Sequence, residues 1–543
     1  MFFKPGLLEN RLYLVVDDFG DMRSMMKNML MACGVREITL ARNGAEAIEQ
    51  MEEKRFDVVL CDYNLGPGRD GQQVLEEAKH RQLFGLGCVF VMVTAENTRE
   101  MVMGAVEYEP DSYLTKPFNK DLLKTRLEKL IARRENLLPV EKAMEKRDLS
   151  LALRILDEKI DTKPSNINEL RKIKGEVLLN SGKIRQAQEV YEEVLAIRDL
   201  AWARLGLGKC LYQAQKYDIS LTQFQQLISQ NPNFTPAYDW LAKCHKSLKQ
   251  YSEAQEVLKS AVKISPKAVL RQQMLGEIAL LNQDDQTAES AFSNAVKHGR
   301  HSVYKNPSNY ANLAKVASKT QTGAAAGLDV IKQMKRDFKK DAKADLYRAS
   351  TESLVHQAMG NDELAKASLE EAIAIHETLD QSNSTDCAIE LAKTYSHFGM
   401  EDKSIELLKD TVLNDHTNQT LVDEVKLTMA SLNMDEQTLG SVETIRKEVA
   451  SLNSKGVELA RNGQLEEAAE LLKETSTRMP SNKTVNLNIA LVLLMSMERH
   501  GSSSERIDDI KSYLARVARS DSDNPTLQKL YNRLKTSMTK APN

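Results

Sequence analysis

Small residues recur through the middle of this 543-residue chain at a nearly fixed interval, and no other feature restricts its folding as tightly. In the stretches KGEVLLNSGKIRQAQEVYEEV, LGKCLYQAQKYDISLTQFQQL, LAKCHKSLKQYSEAQEVLKSA and LGEIALLNQDDQTAESAFSNA they stand at Gly175, Gly208, Ala242 and Gly276, in steps of 33, 34 and 34. Twelve residues after each comes another small residue, Ala187, Ser220, Ala254 and Ala288, and four later a large one, Tyr191, Phe224, Leu258 and Phe292. Small residues let two helices approach closely while the large residue fills the space between successive pairs, so the period predicts helix-turn-helix units stacked into an all-α solenoid. The series continues less regularly through Ala314/Ala326, Ser353/Ala365, Ala392/Ser404 and Gly456/Ala468. Residues 411–448 are helical in pattern but poorly matched, and the tail from about 484 reads as terminal capping helices.

Up to about residue 135 the pattern is different. Short apolar runs at Leu12–Val16, Ile38–Ala41, Val58–Cys61, Cys88–Val93 and Ser112–Thr115 alternate with amphipathic segments such as Asp21–Ala32 and Ala45–Lys54. Such alternation predicts an α/β doubly wound, five-stranded parallel sheet with helices on both faces. Ligands of such sheets sit beyond the carboxyl ends of the strands, where this chain carries Asp17, Asp18, Asp62, Thr94 and Lys116.

Three carboxylates brought into one buried crevice repel one another, and a hard divalent cation such as Mg²⁺ relieves the repulsion. Asp18 is expected to ligate the metal directly, Asp17 through water, Asp62 with its carboxylate and Asn64 through its backbone carbonyl. A carboxylate beside such a metal is also a nucleophile able to form an acyl-phosphate, since phosphoryl transfer is largely positioning and charge neutralisation. A lone strand-end aspartate is more often a helix cap and a lone lysine a solvated charge, so the weight lies on the conjunction of the five residues in order.

The motifs LVVDD, VVLCDYN, VMVTAE, YLTKPF and the ARNGAEA turn resemble those of response-regulator receiver domains, the phospho-acceptor half of two-component signalling. The resemblance covers the first quarter of the chain and implies a flavodoxin-like fold. It implies phosphorylation of Asp62 by a histidine kinase or phosphotransfer protein, a switch pair of Thr94 and Tyr113, and contact of Lys116 with the phosphoryl group. Asn64 and Glu96 resemble the pair of the single-domain chemotaxis regulator, which implies a short-lived phosphoryl group. One departure lies after Asp62, where YNLGPGRDG is one residue longer than the family's usual loop, and Gly66 and Gly68 are the residues able to absorb the insertion.

The helical repeats resemble tetratricopeptide repeats, including the prolines Pro164, Pro232, Pro266 and Pro480 after second helices. The resemblance implies a concave groove that binds a peptide or helix of an unidentified protein partner. The expected division is therefore 1–136 receiver, 137–480 repeats and 481–543 capping helices. Pro139 starts a new helix directly after the last receiver helix, Asn119 to about Glu135, with no flexible tether, so the solenoid is expected to dock on that helix.

Six scattered cysteines without zinc spacing read as reduced apolar fillers, and the longest apolar run, Leu487–Met497, is too short to span a bilayer. Together these place the protein in the cytoplasm, with no membrane partner. A net charge of −3 gives no general attraction to nucleic acid, but residues 296–348 are locally basic and include Lys315, Lys332, Lys335, Arg336, Lys339, Lys340, Lys343 and Arg348. The expected function is a phosphorylation-switched signalling adaptor; the alternative is an RNA- or DNA-binding output regulator that uses this basic stretch. No enzymatic constellation follows residue 135, so the chain is not expected to be an enzyme.

Overall fold

In a computed structural model the described residues are 6–85, 87–95, 110–135, 137–146, 148–164, 166–320, 322–379, 384–501, 504–522 and 524–539. They form two compact units, residues 1–309 and 310–543. The first opens with five parallel strands, β1 (Leu12–Val16), β2 (Glu37–Ala41), β3 (Val58–Asp62), β4 (Val89–Thr94) and β5 (Ser112–Thr115), in the order β2-β1-β3-β4-β5. Every residue of VVLCD in β3 and VFVMVT in β4 is buried, as continuous apolar runs covered on both faces require. Helices α1 (Gly20–Met31) and α4 (Lys120–Glu135) cover one face, where Met26, Leu30, Leu123 and Leu127 pack on Val15, Leu60 and Val91. On the other, α2 (Gly44–Glu53) and α3 (Gly71–His80) bring Ile48, Met51, Val74 and Leu75 onto Leu14, Val59 and Phe90.

The register aligns the strand ends that matter. Val16 pairs with Cys61, Asp62 with Val93 and Thr94 with Thr115, so residues just past four strands meet at one edge. The turn motifs have plain causes. Asn43 caps α2 by accepting from the Glu46 amide, and at Gly44 a β-carbon would lie 2.6 Å from Cβ of Arg69. Asp70 caps α3 in a reciprocal capping box with Gln73.

The repeats follow without a tether, with Pro139 in the first turn of α5 (Leu138–Glu145), then α6 (Leu149–Asp161). Helix hairpins come next: α7 with α8 (Ile167–Asn180, Ile184–Ile197), α9 with α10 (Ala201–Gln213, Tyr217–Gln230), α11 with α12 (Thr235–Ser247, Tyr251–Ile264), and α13 with α14 (Val269–Leu281, Asp285–Gly299). The 34-residue interval is a packing rule. A β-carbon on Gly175, Gly208 or Gly276 would lie 2.6, 2.5 or 2.7 Å from the ring of Tyr191, Phe224 or Phe292. Where the second small residue is Ser220, its hydroxyl donates to the Gly208 carbonyl at 2.8 Å, and Ser404 does the same to Ala392 at 2.7 Å. A hydroxyl replaces a methyl there without leaving a buried donor unpaired.

A second periodicity escaped the sequence reading. Seven residues after each small residue of the first helix the backbone enters the left-handed region, at Gly182, Gln215, Lys249 and Gln283, only the first of which is glycine. Each closes a hairpin turn and hides its regularity behind ordinary polar residues.

The second unit is helical among its described residues, through α15 (Pro307–Ala317), α16 (Gly323–Asp337), α17 (Ala342–Ala358), α18 (Asp362–Thr378), α19 (Thr385–His397), α20 (Glu401–Asn414) and α21 (Gln419–Ser431). The poorly matched stretch 411–448 holds the end of α20, all of α21 and the first half of a 26-residue helix, α22 (Glu436–Arg461). Gly456 within it still faces Leu472, as the repeat rule requires. Helices α23 (Leu465–Arg478), α24 (Lys483–His500), α25 (Ser504–Ser520) and α26 (Pro525–Thr539) share the last apolar core, and no described helix is long and apolar enough to cross a membrane.

Tyr191 is 1% exposed and has no room to yield, so Gly175→Ala should destabilise the α7–α8 hairpin by about 1–3 kcal/mol. A lower thermal midpoint followed by far-UV circular dichroism is the expected readout, and an unchanged midpoint would contradict the packing rule.

Candidate functional site

At the carboxyl edge of the sheet Lys116 joins two carboxylates. Its Nζ lies 2.9 Å from Oδ2 of Asp17 and 3.1 Å from Oδ1 of Asp62. Asp17 is fully buried and Asp62 is 7% exposed, so neither charge would be tolerated without such a partner. Burial raises the Asp62 carboxyl to about 6, with Lys116 pulling the other way. Burial also works against the charge of Lys116, but hydrogen bonds and attraction from Asp17 and Asp62 hold its ammonium above the ordinary lysine value.

One carboxylate oxygen from each of Asp17, Asp18 and Asp62 lies within 4.8 Å of the others. This all-oxygen set fits a hard divalent cation such as Mg²⁺. Asp17 spends its Oδ1 on the Phe19 amide at 2.9 Å and its Oδ2 on Lys116, whereas Asp18 is exposed.

The loop after Asp62 closes over this edge. Gly66 and Gly68 both have positive φ, 71° and 111°, and a β-carbon on Gly66 would lie 3.1 Å from Oδ2 of Asp18. The longer loop is thus accommodated by the two glycines singled out for it. Asn64 is exposed, and its side-chain oxygen accepts from the Gly66 amide at 3.3 Å. Gly71 ends the loop: its amide donates to the Tyr63 carbonyl at 2.8 Å, and a β-carbon there would lie 2.1 Å from the Asp62 carbonyl oxygen.

Thr94 ends β4 at the same edge and is 2% exposed. Tyr113 lies half-buried on β5 against the α2–α3 face, where burial pushes its phenol upward. Arg126 on α4 donates to the Tyr113 carbonyl at 2.9 Å. Glu96 lies outside the described residues. Asp17, Asp18, Asp62, Thr94 and Lys116 therefore converge, with Asn64 in the covering loop and Tyr113 one strand position earlier than Leu114.

Residues 13–128 match the response regulator receiver domain, and residues 174–233 and 235–267 match tetratricopeptide repeats. The chain is 34% identical over 133 residues to chemotaxis protein CheY-3 of Vibrio cholerae, spanning 23% of this chain and 96% of that protein. The chain belongs to the response-regulator family. Chemotaxis protein CheY of Pseudomonas aeruginosa is 32% identical over 126 residues, covering 22% of this regulator and 95% of that protein. A solved structure of the chemotaxis response regulator CheY4 of Vibrio cholerae is 27% identical, covers 22% of this chain and 96% of that one, and has a TM-score of 0.20 over the long chain. This regulator is a flavodoxin-like receiver followed by a tetratricopeptide solenoid, a domain pair for phosphorylation-dependent signalling and protein interaction.

The basic stretch is partly consumed by pairing. In the second unit Lys315 pairs with Glu390, Lys332 with Asp329 at 3.0 Å, Lys343 with Asp386 at 3.5 Å, and Arg348, 8% exposed, with Glu352 at 2.6 Å and with Glu371. Lys335, Arg336, Lys339 and Lys340 stay exposed.

Receiver and repeats of the first unit meet on the last receiver helix and in two further places. Arg133 on α4 pairs with Glu169 at 2.6 Å, which agrees with docking on the last receiver helix. The α5 helix reaches further, where Glu141 accepts from the Gly87 amide at 2.8 Å and Glu145 pairs with Arg55. A third contact, on α3, comes from residues 298–304. Such partners are more than 200 residues apart in sequence and leave no local signal.

Two outcomes follow for the carboxylates. Because the folded state raises the Asp62 carboxyl from 3.8 to about 6, it binds more protons than the unfolded chain across that window, and stability falls as pH rises through it. Asp62→Asn should therefore raise the thermal midpoint of the metal-free protein by a few degrees at pH 7.5 and leave it unchanged at pH 3.5. Asp18→Ala should weaken Mg²⁺ binding, read by calorimetry, by more than about tenfold, since loss of even an outer-sphere partner costs about that much.

Proposed function

We propose that this regulator is a phosphorylation-switched adaptor, with Asp62 the acceptor for a histidine kinase or phosphotransfer protein and the solenoid the output that binds a protein partner. The observation that carries the reading is the double bridge from Lys116 to the buried carboxylates of Asp17 and Asp62 at the edge where the strand ends meet. An Asp62 carboxylate oxygen attacks the phosphorus of a phosphohistidine. The P–O bond forms as the P–N bond breaks, and the electron pair of that bond stays on the imidazole. Burial keeps Asp62 poorly solvated and hence reactive, while Lys116 holds the charge that the new oxygens need. Mg²⁺, when bound by Asp17, Asp18, Asp62 and the Asn64 carbonyl, would supply further neutralisation of phosphoryl charge. Thr94 and Tyr113 are the expected switch pair, and Asn64 and Glu96 the residues that set phosphoryl lifetime.

We place the protein in the cytoplasm and take the chain to be non-catalytic beyond its own phosphorylation. Against the nucleic-acid alternative, Lys315 and Arg348 of the basic stretch are turned inward onto Glu390 and Glu371; Lys335, Arg336, Lys339 and Lys340 are the cations left for it. Acetyl phosphate with Mg²⁺ should label the protein at a single acid-stable, base-labile position. Asp62→Asn should abolish the label, and label retained in that variant would show another acceptor.

A further inference from the structure

The turn between α14 and α15 lies on the receiver, at the helix that begins where the acceptor loop ends. The Ser302 hydroxyl donates to Oε2 of Glu76 at 2.6 Å, with both residues buried. The Tyr304 ring meets His80 edge to face at 5.3 Å between centroids, and Nε2 of Gln73 donates to the His298 carbonyl at 3.4 Å. These contacts lie on three successive turns of α3, so the solenoid grips that helix along its length.

The α3 helix is fastened to the acceptor at its other end. Gly71, its first residue, lies against the Asp62 carbonyl, and its amide donates to the Tyr63 carbonyl at 2.8 Å. Gln73 belongs to both structures at once. Its Oε1 accepts from the Asp70 amide at 3.1 Å, its own amide donates to Asp70 Oδ1 at 2.8 Å, and its Nε2 reaches the solenoid. From the solenoid side the charge of Lys267 acts on Asp70.

We propose that residues 298–304 form a latch on α3 that is closed in the unphosphorylated receiver and loosened by phosphorylation, making α3 an output surface of this regulator. The inference rests on the acceptor role of Asp62 proposed above. A phosphoryl group brings about two negative charges to the crevice. The backbone of Asp62 packs on Gly71 and the Tyr63 carbonyl accepts from the Gly71 amide, so a shift of this strand end moves the start of α3, loosens the cap that holds Gln73, and weakens the first of the three latch contacts.

Linkage makes this testable from the far side. If phosphorylation opens the latch, opening the latch must favour the phosphorylated state by the same factor. Ser302→Ala and Tyr304→Ala, each in the full chain, remove latch contacts at the middle and at the far end of α3, away from the crevice. Binding of beryllofluoride with Mg²⁺, titrated by calorimetry, should be about fivefold tighter or more in each variant, the lower end of typical couplings. Unchanged or weaker binding in both variants, with wild-type binding intact, would overturn the latch while leaving the acceptor assignment standing. Failure of the wild-type chain to bind beryllofluoride in a way that Asp62→Asn abolishes would instead overturn the acceptor assignment, and the latch with it.

Discussion

Two buried carboxylates and one lysine set the terms for the first unit. Asp17 and Asp62 sit where water is scarce, and the strand register gives Lys116 the position from which it reaches both. An interaction of this kind is weak evidence for stability, because desolvation offsets much of the attraction. It is better suited to a switch. The raised carboxyl of Asp62 reports a site where a negative charge is held at a cost, and any group that changes the charge there changes the balance of the surrounding loops.

On the proposed latch, the route outward from Asp62 is a series of short contacts. The Asp62 carbonyl lies against Gly71, Asp70 and Gln73 cap one another, and the helix so started meets residues 298–304. The α5 helix grips the opposite end of the strands near Gly87, so the first repeats are tied to the receiver at separate places. Here the repeats of the same chain already touch it.

Much of this was legible in the sequence, and the reasons are specific. Continuous apolar runs betray the two central strands because both their faces are covered, and the order of Asp17, Asp18, Asp62, Thr94 and Lys116 at strand ends follows from the alternation of elements. The glycine interval betrays the hairpins because each glycine faces a ring that no β-carbon could approach. Other features gave no such signal. The left-handed turn residues Gln215, Lys249 and Gln283 look like any polar surface residue. The grip of Ser302 on Glu76 depends on where four successive hairpins deliver the chain, which local pattern cannot encode. The sequence pointed to the last receiver helix as the docking surface; Arg133 with Glu169 is there, but α3 and the Gly87 loop carry contacts as well.

Hydrogen exchange of the full-length protein, with and without beryllofluoride and Mg²⁺, tests most directly whether the acceptor and the repeats form one switch. The account predicts that protection changes around Asp62 and in residues 63–73 are accompanied by a loss of protection in residues 298–306, and that all of them vanish in Asp62→Asn. Changes confined to the receiver strands and their loops, with residues 298–306 as protected as before, would contradict it.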